Sequence, residues 1–150
     1  MSPSPDDDPA STGPPDRQTL RLLERILADE SVVTTTEFEP DSYEPILLRA
    51  LVGVDQYPPA IETARLDIRW FTRGDFSIHY IETHANGDQW ECRWDRHPNS
   101  HNARLHFHQP PTGDKVEDLT VSSVHPLDIV SLVLAAIEQR ITQHWSIDAS

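Results

Sequence analysis

Three stretches in the middle of the chain alternate apolar and polar residues with a period of two, and nothing else in the sequence restricts the fold as much. In 64–71, Leu66, Ile68 and Trp70 alternate with Arg65, Asp67 and Arg69. In 75–82, Phe76, Ile78 and Tyr80 alternate with Ser77, His79 and Ile81; in 89–95, Trp90, Cys92 and Trp94 alternate with Glu91, Arg93 and Asp95. Successive side chains on a strand point to opposite faces, so each stretch has one apolar and one polar side. Arg73-Gly74 and Asn86-Gly87 supply the turns between them. The second is a strong hairpin signal, because both of its residues tolerate positive φ. A fourth stretch, 103–108, sets Leu105 and Phe107 against Arg104, His106 and His108, and Pro110-Pro111 ends it. The expectation is an antiparallel meander.

The flanks read as helices and further extended stretches. Asp16 can cap a helix beginning at Arg17, with Leu20, Leu23, Ile26 and Leu27 at helical spacing and an end near Asp29. Residues 31–38 are β-branched and extended, 46–54 are apolar and fit either element, and Tyr57-Pro58-Pro59 interrupts the chain. A polar loop containing Gly113 leads to Pro126, which opens the last helix where a missing N–H costs nothing. The apolar stripe of that helix is Leu127, Val130, Leu134, Ile137, Ile141 and Trp145. The predicted fold is α+β, an antiparallel sheet of four to six strands with the helices on one face. It forms a single domain over 16–150, behind an acidic, proline-rich, disordered tail over 1–15.

Charge is distributed unevenly. The chain has 25 acidic and 12 basic residues, and Lys115 is its one lysine. Many acids with arginine in place of lysine suit a salt-rich cytoplasm, where a Debye length of about 3 Å at 1 M salt screens self-repulsion. Residues 60–110 hold six arginines, seven acids and six of the eight histidines, so this middle part is nearly neutral. The acidic total therefore does not exclude a local anion-binding site there. Cys92 is the only cysteine, which fits a reducing compartment. No apolar run approaches the ~20 residues of a membrane span, and Met1–Asp8 lacks a signal peptide's basic and apolar regions. These points predict a cytoplasmic protein without membrane contact.

The polar side of the meander carries the chemistry. Arg65 and Arg69, Arg93 and Asp95, and Arg104, His106 and His108 are separated by even numbers of residues, so the members of each set share a face. His79 joins them from the neighbouring strand, with His97 and His101 on the loop beside them. Arginine binds phosphate through a planar fork of donors, and histidine gives or takes a proton near neutrality. Such a set suits RNA cleavage through the 2′-hydroxyl, with no cofactor. In that reading His106 and His108 are acid and base, Asp95 orients a histidine or pairs with an arginine, and His97 and His101 complete the catalytic set. Arg93, Arg104, Arg65, Arg69 and His79 hold substrate.

Two other readings stand beside it. His106, His108 and His101, with His97 and Asp95, offer zinc-type ligands, although the arginines repel a cation. The same groups also suit a solvated face of ion pairs that binds a protein and catalyses nothing. His84, His125 and His144 fit turn, helix-start and helix-end roles. Cys92 fits the core, and Arg73-Gly74-Asp75 fits a hairpin turn.

Arg93-Trp94-Asp95, followed by His97, His101 and His106-Phe107-His108, resembles the TumE-type family of prokaryotic toxin–antitoxin proteins over about residues 60–140. The family's second histidine cluster is more compact and includes a lysine; here Phe107 separates the pair and no lysine follows. The resemblance implies a growth-inhibiting protein encoded beside an antitoxin and acting on RNA.

Overall fold

A computed structural model gives the fold and describes residues 13–97 and 104–149. Helix α1 (Arg17–Ala28) begins where the sequence places it: Asp16 accepts from the Thr19 N–H at 3.0 Å and from its hydroxyl at 2.8 Å. Seven strands follow, β1 (Val33–Glu39), β2 (Leu47–Val52), β3 (Ile61–Trp70), β4 (Phe76–His84), β5 (Gln89–Arg96), β6 (Arg104–His108) and β7 (Val116–Thr120). Each pairs antiparallel with the next, giving one sheet in the order β1 to β7. Helix α2 (Pro126–Asp148) closes the domain.

The sheet thus has seven strands rather than four to six. Segment 46–54 resolves into β2, whose buried Leu48, Ala50 and Val52 alternate as a half-covered strand requires. The polar loop after Pro111 contains β7, Val-Glu-Asp-Leu-Thr, an exposed edge strand with only Leu119 half-buried. Its apolar signal is too thin to separate strand from loop.

Both helices pack on one face, as expected. Leu20, Leu23 and Leu27 of α1 and Ile129, Val130, Val133, Leu134 and Ile137 of α2 share a core with Leu48, Leu66, Ile68, Ile78, Tyr80, Cys92 and Trp94 of the sheet. The stripe of α2 differs at its ends: Leu127 is 42% and Trp145 45% exposed, while Ile129 and Val133 are buried. The buried apolar residues of α2 run from Ile129 to Ile137, and Arg140 and His144 beyond them reach the sheet through polar contacts to Glu82. Trp145 instead donates its indole N–H to the Gln56 carbonyl at 2.8 Å.

Residues 1–12 of the expected tail lie outside the described residues. Gly13–Pro15 are attached to the domain rather than loose: Pro15 bridges Phe71, and the Pro14 carbonyl accepts from the Thr72 N–H at 2.9 Å. Among the described residues, no helix is long and apolar enough to cross a membrane.

Candidate functional site

The strand register determines which polar groups meet. On the face away from the helices, one cross-strand row runs Glu37, Arg49, Asp67, His79, Arg93, His108, and the next runs Ser77, Asp95, His106, Asp118. Directly opposed side chains sit about 4.5–5.5 Å apart at Cβ, so the first row makes neighbours of residues from β1 to β6 and the second of residues from β4 to β7. Asp95 Oδ2 takes Arg93 Nε at 2.9 Å and His108 Nε2 at 2.9 Å. Arg93 also approaches the His108 ring, with its terminal nitrogen 3.2 Å from Nε2. His106 Nδ1 meets Asp118 Oδ1 at 2.8 Å. The His97 ring lies 5.4 Å from that of His106.

Of the residues singled out in the sequence, the fold joins Arg93, Asp95 and His108 by direct contact and sets His106 and His97 beside them. His79 neighbours Arg93 and contacts Glu91 at 3.4 Å. Arg69 opposes Ser77, whose other partner is Asp95, so it lies in the second row. Arg65 is on the same face but engages Asp67 at 3.4 Å, outside the cluster. Arg104 is placed by its pairing with Thr120; its side chain, like all of His101, lies outside what is described. Of the three histidines named as alternative metal ligands, His106 and His108 each face their own aspartate.

The family model described as Toxin TumE matches residues 20–141 of the chain. This chain is a member of the toxin TumE family. In this TumE member the family match takes in every strand and most of both helices, so it concerns the domain and not a short motif. No curated protein and no solved structure matches the chain.

Sequence reasoning missed a second cluster, on the helix-covered face of the TumE domain. Glu82 is fully buried there. Its carboxylate accepts from Tyr80 at 2.6 Å, Arg140 Nε at 2.9 Å and Arg140's terminal nitrogen at 3.0 Å. His144 and His84 approach the other side through Nε2, at 3.0 and 3.1 Å. Tyr57 meets the Tyr80 hydroxyl, and the Arg140 guanidinium lies 3.7 Å over the Trp90 ring. Burial pushes the Glu82 carboxyl up, but Arg140, Tyr80 and His144 more than offset this and hold it below its usual value. Burial raises both tyrosines and pushes the Cys92 thiol up to about 12, which leaves that cysteine inert.

His84 and His144 therefore act together at Glu82 rather than separately at a turn and a helix end. A signal was available, since Glu82 shares the inward parity of Ile78 and Tyr80. Among the described residues, Glu82, His84 and His144 could present ligand atoms to a metal within 4.8 Å of one another. The Arg140 charge already neutralises Glu82, however, and both carboxylate oxygens are occupied. The cluster is a complete ion network tying α2 to β4, with no unmet demand for a ligand.

Proposed function

We propose that this TumE protein is the toxin of a toxin–antitoxin pair and cleaves RNA at the Arg93/Asp95/His106/His108 face. A cognate antitoxin is the partner that family membership implies. The observation that carries the reading is the pair of carboxylate–histidine contacts, His108–Asp95 and His106–Asp118, next to Arg93, which pairs with His108 across the strands. The two histidines are two residues apart on one strand, a separation of roughly 7 Å that can bracket a phosphodiester.

The chemistry follows from these groups. One neutral imidazole takes the proton from the 2′-hydroxyl as its oxygen attacks phosphorus. The P–O5′ bond breaks, and the other imidazole, protonated, gives its proton to the departing O5′. The aspartates fix each ring's orientation. Arg93 offers a fork of donors to the charge that gathers on the phosphoryl oxygens. It takes the electrostatic part a metal would otherwise play, so cleavage requires no divalent ion.

The test is cleavage of a single-stranded RNA in concentrated KCl with EDTA present. The expected products end in a 2′,3′-cyclic phosphate, and a single 2′-deoxy substitution blocks cleavage at its own position. Cleavage that ignores the 2′-deoxy substitution, or no cleavage by folded protein, contradicts the proposal.

A further inference from the structure

The two carboxylate clusters differ in one respect. Glu82 has every oxygen occupied, whereas Asp75 and Asp95 each keep an Oδ1 that is buried and without a hydrogen-bond partner. Asp75 is 4% and Asp95 7% exposed. A buried acceptor left unmatched costs stability, and groups kept at such a cost concentrate in sites that meet a further group during function.

Both aspartates border one cleft, together with Ser77, Arg93 and His97. Asp75 follows Gly74, whose φ of 92° makes the β3–β4 turn. The Asp75 backbone is fixed there, its carbonyl accepting from the Phe71 N–H at 3.0 Å. The turn delivers the carboxyl to the end of the histidine face. Each of two histidines on that face already has an aspartate, His108 with Asp95 at 2.9 Å and His106 with Asp118 at 2.8 Å. His97, its ring 5.4 Å from that of His106 and tilted by 47°, shares its cleft with Asp75, whose Oδ1 lacks a hydrogen-bond partner.

We propose that Asp75 is the carboxylate partner of His97, a positioning residue that turns this ring into the cleft and holds a third positive charge beside Arg93 when a phosphodiester is bound. The proposal rests on the reading of this face as the site. Asp75 is faced by Arg73, Arg96 and His97. His97 has Asp75 from the turn, Arg93, Asp95 and Arg96 from β5, and His106, itself held by Asp118, from β6. Burial pushes the Asp75 carboxyl up, while its own backbone N–H, His97 and the two arginines pull it down by less.

Two readouts on the full chain test the pairing. The first is the NMR titration of the Asp75 carboxyl carbon in the wild type and in His97→Asn, a change that leaves Asp75 and its burial in place. The midpoint is expected to rise in the variant, because a favourable charge is lost. An unchanged midpoint overturns the proposal. The second is the pH profile of kcat/KM for RNA cleavage. Its basic limb is expected to move to lower pH in Asp75→Asn and to move back towards the wild-type position in Asp75→Glu. A profile in Asp75→Asn that superimposes on the wild type overturns the positioning role. If the wild type cleaves no RNA, the ribonuclease reading fails and the positioning role with it, while the carboxyl titration still decides whether the two side chains are paired.

Discussion

Glu82 and Arg140 stand fifty-eight residues apart and form a two-pronged ion pair at 2.9 and 3.0 Å, with the carboxylate fully buried beneath α2. Removing one partner of such a pair leaves the other charge uncompensated, which typically costs about 3–5 kcal/mol. Glu82→Ala is therefore expected to lower stability by about that amount in urea unfolding. Replacing Glu82 and Arg140 together by apolar residues is expected to cost less than Glu82→Ala alone. A double variant less stable than either single one contradicts this account of the network.

The same pair produces a pH dependence. The Glu82 carboxyl is held below its usual value in the folded protein. Its contribution to stability is therefore present above the unfolded-state pKa and disappears as pH falls through the depressed folded one. Wild-type Tm minus Glu82→Gln Tm is expected to be largest near neutrality and to shrink in acid. A difference that does not vary with pH rules this out.

Asp75 has the opposite sign. Its carboxyl is raised by burial, so ionising it opposes folding, and that penalty develops as pH rises through the folded pKa. Asp75→Asn is expected to have a higher Tm than the wild type at neutral pH, with the gap closing in acid. A lower Tm at neutral pH means that the buried carboxylate is stabilising and contradicts its description as a costly group.

Asp16 caps α1 with contacts to both the backbone and the hydroxyl of Thr19. Asp16→Ala is expected to cost about 1 kcal/mol, read as a lower urea midpoint at an unchanged slope. An unchanged midpoint would mean that the first turn of α1 is held by packing alone.

The meander, the Asp16 cap and the inward and outward parity of β3 to β6 were legible because each follows from neighbours a few residues apart. Parity alone put Arg93, Asp95, His106 and His108 on one face. The pairing of His108 with Asp95 and of His106 with Asp118 was not legible, because it depends on register between strands. Asp118 lies on β7, whose exposed Val-Glu-Asp-Leu-Thr carries too little apolar signal to be distinguished from a loop. Glu82 broke an otherwise apolar face, and that break marked a buried site. Its partners Arg140 and His144 lie on a helix whose rotation is set by packing and cannot be read from spacing alone. The exposed Leu127 and Trp145 make the same point from the other direction.

The net charge of −13 is the other feature that composition alone supplied. Self-repulsion on so acidic a chain is expected to weaken the fold in dilute buffer, and salt to screen it. Tm is expected to rise steadily with KCl concentration, and a Tm unaffected by salt contradicts that expectation. Activity is best measured where the fold is secure.

The central claim is that the histidine face makes this protein a toxin. Its most direct test is growth of a salt-tolerant host under induced expression of the wild type and of the His106→Ala/His108→Ala variant at matched protein levels. The expected result is that the wild type arrests growth while the folded double variant does not. Arrest by the folded double variant at the same level would show that toxicity arises elsewhere on the molecule and would contradict the claim.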